Sequence, residues 1–429
     1  MKKFFSCVLM IVSIFMVSCR EKPLSKEEIT VYHATDMHYL SQQLTDNSDA
    51  FVQMLLDGDG KMTHLCEEIC NAFVDEVIAA KPDAVLISGD ITFNGEKLSH
   101  EDFTLKLKKI EEAGVDVIAI PGNHDVEYPF SRGYEGNNSY KAEYTTEADF
   151  IEYYKNFGPD IAYTKSPDGL SYIAKLGKNI YVAAIYTPQS FMTGVPGVKQ
   201  DTLNWLDTEL AKLDAGAKII ALTHQNITNH YPDDDFSHKY TLANNEELVA
   251  VYDKYGVDLN LSGHIHLQHI AQTESGITDI ATSSLTIREC QYGIIDVTQE
   301  KMSYSTKSVD MQSWADKNGV TDENFTEFDK FNDEFYFTSA YAKALSSLEE
   351  TKLTAEEKDA LATLWAEFNV HYFAGTVNEF YPHMIESEGY KIWQEKGLDS
   401  NWNFAYITTA LGGNDLEKTQ TSWEKHFKE

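Results

Sequence analysis

Short β-branched apolar runs alternate with amphipathic stretches along the first three hundred residues. Ile29 to Thr35 reads as a first strand, and Tyr39 to Met62 as a long insertion behind it. Thr63 to Ala80 has helical periodicity and is stopped by Lys81-Pro82. Asp83 to Ser88 is a second strand. A helix runs from Ser99 or His100 to about Ala113, closed by Gly114, and Val115 to Ile120 is a third strand. Strand, helix, strand, helix, strand predicts a layered α/β domain with a largely parallel centre.

Tyr128 to Tyr144 reads as a loop rich in aromatic and polar residues, followed by a helix near Glu147 to Phe157. Leu170 to Ala174 and Asn179 to Tyr186 predict a hairpin around Gly177. Asp201 to Leu213 and Glu246 to Tyr255 are helical, and Lys218 to Leu222 and Val257 to Leu261 are buried strands. Short β segments continue to about Val309. From Asp310 to Glu429 the pattern changes to Glu-, Lys- and Ala-rich helical periods, so a helical C-terminal region is expected.

Five of the apolar strands end in polar side chains. In order these are Asp36 and His38; Asp90; Asn123, His124 and Asp125; His224; and His264 with His266. Each ending has an ordinary explanation alone: a cap, a turn or a core histidine. Five in order, each at the carboxyl end of a strand where α/β proteins place their ligands, do not. Carboxylates, imidazoles and an amide oxygen without thiolate suit Mn, Fe, Zn or Ni.

The set Asp36-Met37-His38, Gly89-Asp90, Gly122-Asn123-His124-Asp125, His224 and Gly263-His264-Ile265-His266 resembles the motifs of the calcineurin-like metallophosphoesterase superfamily. The resemblance covers about Ile29 to Ile295. It implies a four-layer α/β/β/α sandwich of two mixed sheets flanked by helices, with a dinuclear site at the strand ends. It places Asp36, His38 and His266 on one divalent or trivalent transition-metal ion and Asn123, His224 and His264 on a second, with Asp90 bridging them. A hydroxide activated by the two metals would attack phosphorus in line. His124 would donate a proton to the leaving oxygen or hold a phosphate oxygen, and Asp125 would orient that imidazole. The superfamily often carries a further polar residue at the place of Asn94.

Composition narrows the picture. With 42% hydrophobic residues, 24 Tyr and 22 Phe, the chain is globular. A formal charge of -33 argues against a long nucleic acid as partner, but not against a small phosphate ester at a metal site. Lys2 and Lys3, the apolar run Phe4 to Val17, and Ser18-Cys19 read as a bacterial lipoprotein signal over residues 1–18. Cys19 would then carry a lipid, residues 19–28 would be a tether, residues 29–309 the phosphoesterase-like domain, and residues 310–429 the helical region. The expected place is the bacterial cell envelope, exported and membrane-anchored. Cys66, Cys70 and Cys290 make no disulfide framework and are expected in the core.

Other features carry less. Asp57-Gly58-Asp59-Gly60-Lys61 fails as a calcium loop, because Lys61 and Met62 stand where a ligand and a glycine belong. His33 is expected in the core, and His64, His100 and His269 fit no motif. Gln225 to Tyr240, with Asn226, His230, Asp233 to Asp235 and His238, reads as a solvated acidic loop. The function expected is metal-dependent hydrolysis of a phosphate mono- or diester, with a lean to a small phosphodiester or nucleotide. The competing reading is a lipid-anchored surface binding protein that keeps a metal site and holds a partner with its C-terminal helices.

Overall fold

The structure is a computed structural model that describes residues 25–188, 194–231, 240–413 and 415–427. The signal peptide, Cys19 and residues 233–235 and 238 lie outside the described residues.

Fifteen strands are seen among the described residues: β1 (Ile29–Ala34), β2 (Ala84–Ile87), β3 (Asp116–Ala119), β4 (Arg132–Glu135), β5 (Asn138–Lys141), β6 (Ala162–Lys165), β7 (Tyr172–Gly177), β8 (Ile180–Ala184), β9 (Lys218–Leu222), β10 (Leu259–Ser262), β11 (His269–Gln272), β12 (Thr278–Ala281), β13 (Gln291–Val297), β14 (Lys301–Ser308) and β15 (Ser422–His426). They build a six-stranded sheet in the order β15-β14-β13-β1-β2-β3 and a seven-stranded sheet in the order β11-β12-β10-β9-β8-β7-β6. Both sheets are mixed. β1, β2 and β3 run parallel, as do β8, β9, β10 and β12, while the outer strands are antiparallel.

The parallel strands are short and apolar on both faces because both faces are covered. All four residues of β2 are buried. Val31, Leu86 and Ile118 from the first sheet meet Val182, Ile220 and Leu261 from the second in one apolar layer. The outer face of the first sheet packs on the helices Cys66–Ala80 and Lys97–Glu112 through Phe73, Val77, Phe103 and Leu107. The outer face of the second packs on Leu203, Leu206, Leu248 and Tyr252 of the helices Gln200–Leu210 and Asn245–Lys254. The four layers are therefore helix, sheet, sheet, helix. Cys66, Cys70 and Cys290 are free thiols buried in the first core.

Beyond β14 the chain is helical to Gly413. The helix Ala355–Ala374 starts with a reciprocal cap between Thr354 and Glu357 and stops at Gly375, whose φ of 74° a side chain would resist. With the helices Phe328–Ser347, Val377–Met384, Glu388–Lys396 and Trp402–Gly413 it encloses a separate core around Leu361, Phe368, Trp393 and Phe404. The chain then returns to the first sheet as β15, paired with β14 from Ser305↔Ser422 to Lys301↔His426. None of the helices among the described residues is long and apolar enough to cross a membrane.

Three elements differ from the sequence expectation. The insertion after β1 contains the helix Asp49–Asp57, whose Phe51 and Leu55 are buried. The loop expected from Tyr128 to Tyr144 contains the hairpin β4–β5, whose residues are mostly exposed and give no alternating signal. β15, with only Trp423 shielded, interrupts the helical reading of the C-terminal region.

Candidate metal centre

The carboxyl ends of β1, β2, β3, β9 and β10 converge between the two sheets. The chain leaves each strand sharply there. Asp36, His38, Asp90, His264 and His266 all have positive φ, between 43° and 70°. Such backbone is strained for non-glycine residues and persists where the surroundings fix it. Here Asp36 N donates to Gly89 O at 3.0 Å, and His38 N to Asp90 O at 3.0 Å, tying the two loops together. Close approach also demands glycine at Gly89, Gly122 and Gly263. A Cβ on Gly122 would collide with Asp90 Oδ1 and His224, and one on Gly263 with Thr35 and Asp36 Oδ2.

The loops bring two groups of donors together. Asp36, His38, Asp90 and His266 each offer an atom within 4.8 Å of the others, and so do Asp90, His224 and His264. Asp90 belongs to both groups. Asn123 Oδ1 joins the second, 3.0 Å from His224 Nε2. Asp36, His38, Asp90 and His224 are buried, and Asn123, His264 and His266 are half-buried. All seven residues expected to hold metal therefore meet in one place.

The donor set fits cations and is unbalanced without them. His224 Nδ1 donates to Ser88 O at 2.8 Å, which turns Nε2 towards Asn123 Oδ1 and, at 3.3 Å, Asp90 Oδ1. Two oxygens facing one ring nitrogen call for positive charge there, which a metal ion or, without one, a proton supplies. Burial opposes a charge on His224, but the Asp90 carboxylate outweighs it and lifts the imidazole to about 9. Asp36 Oδ1 is buried without a hydrogen bond, 3.3 Å from His266 Nε2 and 3.9 Å from His38 Nε2. His38 Nε2 and His266 Nε2 are 3.0 Å apart, and burial pushes the His38 imidazole well below its usual range.

His124 packs edge-on to His38 with ring centroids 5.0 Å apart, and its backbone N donates to Asp90 Oδ1 at 2.8 Å. Its Nδ1 donates to Phe93 O at 2.9 Å, with Asn94 Oδ1 3.1 Å away. Asn94 therefore stands where the motif comparison placed a polar residue, and it touches the imidazole. Glu96 braces this loop. Its Oε2 accepts from Asn94 N at 3.0 Å and Ser99 Oγ at 3.3 Å, its Oε1 is buried without a partner, and burial pushes the carboxyl up to about 7.

Asp125 departs from the expectation. Its carboxylate accepts from Gly122 N at 2.8 Å, Thr92 N at 2.9 Å, Thr92 Oγ1 at 3.0 Å and Ile91 N at 3.2 Å. Those four donors use its lone pairs, so Asp125 locks the β2 and β3 loops together. Phe93 O, not Asp125, orients His124.

Lys61 is a further residue at the site that no sequence pattern marked. It is buried, its Nζ lies 2.9 Å from Asp59 Oδ2, and Asp59 Oδ2 lies 3.7 Å from His266 Nδ1. Its charge, added to burial, disfavours protonation of His38 and His124. His33 and His100 are structural. His33 bridges Thr282 and Ser88 in the core, and His100 Nε2 donates to Asp125 O at 3.0 Å. Asn226 and His230 are buried, which corrects the expectation of a solvated loop at those two positions.

A family profile described as calcineurin-like phosphoesterase matches residues 29–268. A second, described as the C-terminal domain of cyclic nucleotide phosphodiesterase, matches residues 310–416. Similar solved structures include a dimetal phosphatase from Danio rerio, at 14% identity and a TM-score of 0.47, covering 67% of this chain and 97% of that one. Another is a phosphopantetheinyl hydrolase from Mycobacterium tuberculosis, at 12% identity and a TM-score of 0.34, covering 60% of this chain and 89% of that one. A third is the anchor protein of the inner membrane complex of Plasmodium, at 13% identity and a TM-score of 0.40, covering 66% and 85%. No curated protein matches the chain.

Proposed function

Since the chain belongs to the calcineurin-like phosphoesterase family, we propose that this metal-dependent phosphoesterase hydrolyses a small phosphodiester, and specifically a cyclic nucleotide. The observation that carries the reading is the pair of donor groups sharing Asp90, in a chain whose residues 310–416 match the C-terminal domain of cyclic nucleotide phosphodiesterase.

Asp36, His38, Asp90 and His266 would hold one metal ion, and Asp90, Asn123, His224 and His264 a second. Bound metal ions would supply Lewis acidity towards the phosphate oxygens and an activated water as nucleophile. The chain's own residues do the rest. Ser88 O holds His224 in the tautomer that turns Nε2 inward. Phe93 O does the same for His124, so that Nε2 of the charged imidazolium, which the Asp90 carboxylate favours against burial, would deliver a proton to the leaving oxygen. Asp125 keeps Gly122 close enough to Asp90 for both loops to serve one centre. Lys61 adds a cation beside the histidines, suited to an anionic ester.

The test is hydrolysis by metal-stripped protein restored with Mn, Fe, Zn or Ni, on bis-p-nitrophenyl phosphate and p-nitrophenyl phosphate side by side. Metal-restored turnover with preference for the diester is expected. Preference for the monoester would overturn the diesterase reading, and no turnover with metal bound would overturn hydrolysis of either.

We further propose that the protein is exported and held in the bacterial cell envelope by a lipid on Cys19. Incorporation of labelled palmitate, lost in Cys19→Ala, is expected. Unlabelled protein in the envelope fraction would overturn the lipid.

A further inference from the structure

His124, the proton donor in the reading above, has a half-buried imidazole tied at one corner, by Nδ1 to Phe93 O at 2.9 Å. The χ2 torsion of a histidine has a broad energy well, so a hydrogen bond at one corner still lets the ring rock. Two neighbouring rings restrict that freedom. His38 stands edge-on, with 88° between the ring planes. Tyr128 lies nearly parallel, with ring centroids 4.8 Å apart and 21° between the planes. A turn about χ2 drives an edge of the imidazole into the phenol ring.

The surrounding chain fixes Tyr128 in that position. Glu127, just before it, has a φ of 53°, which a non-glycine residue holds only where its neighbours impose it. Glu127 N donates to Thr145 O at 2.8 Å. The Ser131 hydroxyl donates to Asn94 O and lies 3.2 Å from Tyr128 O, which joins the Tyr128 loop to the one that carries Phe93 and Asn94. Ala142 N donates to Ser131 O at 3.0 Å, at the base of the hairpin β4–β5. A Cβ added to Gly95 would come within 3.1 Å of His124 O and 3.3 Å of the Tyr128 side chain, so the same loop packs against both residues. Burial pushes the Tyr128 hydroxyl up to about 12, so at neutral pH the ring stacks as a neutral phenol.

From this geometry we propose that Tyr128 is a positioning residue for the reaction: its ring clamps the His124 imidazole so that Nε2 keeps its aim at the leaving oxygen. The proposal rests on the phosphoesterase reading and on the proton-donor role of His124. Tyr128 acts through the imidazole, and what it contributes is alignment. A proton donor works within hydrogen-bond reach of the leaving oxygen, and a displacement of about 1 Å costs up to about a hundredfold in rate. The exposed hairpin β4–β5 thereby gains a role, since through Ala142 and Ser131 it anchors the loop that carries the clamp.

Tyr128→Leu, which removes the ring, and Tyr128→Phe, which keeps it, test the clamp in the metal-restored full chain, each with His124 present and in a His124→Ala background. On methyl phenyl phosphate, whose leaving group is poor, Tyr128→Leu should lower kcat by about tenfold, and on methyl p-nitrophenyl phosphate by much less. Tyr128→Phe should restore most of the loss. In the His124→Ala background Tyr128→Leu should change either rate by no more than about twofold, because the imidazole it held is gone. A residue that only stabilises the fold would slow both esters alike and in both backgrounds. Equal slowing of the two esters, an additive loss with His124→Ala, or a Tyr128→Phe as slow as Tyr128→Leu would overturn the proposal. Proton spectra of the zinc-restored, histidine-labelled chain give a reading without turnover. The His124 ring signals, identified by their loss in His124→Ala, should lie upfield under the phenol ring and move downfield in Tyr128→Leu but far less in Tyr128→Phe. Signals unmoved in Tyr128→Leu would overturn the clamp. A wild type that binds metal and hydrolyses neither ester would overturn the phosphoesterase reading instead, and the spectra would then decide the clamp alone.

Discussion

His224 Nε2 lies 3.3 Å from Asp90 Oδ1, in a buried pair that serves both donor groups of the centre. The carboxylate is the shared element, so its loss should empty both positions. Asp90→Ala is expected to lower turnover of bis-p-nitrophenyl phosphate by about a thousandfold or more, several kcal/mol of barrier. Metal content measured by plasma mass spectrometry should fall with it. Hydrolysis that survives the change would exclude a bridged centre.

The His124 imidazole is turned inward by Phe93 O, while only the backbone N of the residue reaches the Asp90 carboxylate. A proton donor matters most when the leaving group is poor. His124→Ala should slow an alkyl ester by about a hundredfold, within the range of general acid catalysis, and a p-nitrophenyl ester much less. A series of leaving groups read as rate against leaving-group pKa checks this. Parallel lines for the wild type and His124→Ala would remove the proton-donor role.

Lys61 holds a buried ammonium 2.9 Å from Asp59 and within electrostatic reach of His38 and His124. Lys61→Met keeps the stem and removes the charge. The expected result is a rise in KM for an anionic diester of roughly tenfold, the worth of one charged hydrogen bond. An unchanged KM would leave Lys61 as a packing residue.

Glu96 gives the fold one pH-dependent contribution. Burial raises its carboxyl from an ordinary 4.5 to about 7. A raised acid favours the folded state when protonated, so the contribution of Glu96 to stability is lost as pH rises from about 4.5 through 7. Glu96→Gln should therefore match the wild type near pH 4.5. At pH 8 it should be more stable by on the order of 3 kcal/mol. Thermal unfolding at both pH values decides it, and an equal difference in Tm at each would show that the carboxyl is not strained.

The central strands and the polar residues at their ends were readable because both faces of a parallel strand are buried. Ala84 to Ile87 can only read as an apolar run, and the polar Gly89-Asp90 behind it can only lie at the sheet's end. The metal donors were readable because each sits next to such a run. Asp125 was misread because its partners, Thr92 and Ile91, lie more than thirty residues away, and no local pattern records a loop-to-loop hydrogen bond. Lys61 was passed over because its significance depends on where the insertion folds back, beside His266. The exposed hairpin β4–β5 has no buried face to impose a period. β15 is an edge strand of Ser, Trp, Glu, Lys and His, whose partner precedes it by more than a hundred residues.

That last strand changes what kind of unit the helices form. They leave the first sheet after β14 and come back to it as β14's hydrogen-bonded neighbour. They are an excursion with both feet on the same sheet, not a tail hanging from one. A chain cut after residue 309 would lose the charged strand that covers β14 and bare a row of backbone N–H and C=O groups to other molecules. Trp423 and Phe427, which pack against the layer between the sheets, would go with it. The helices and the first sheet are thus joined at both ends of the excursion.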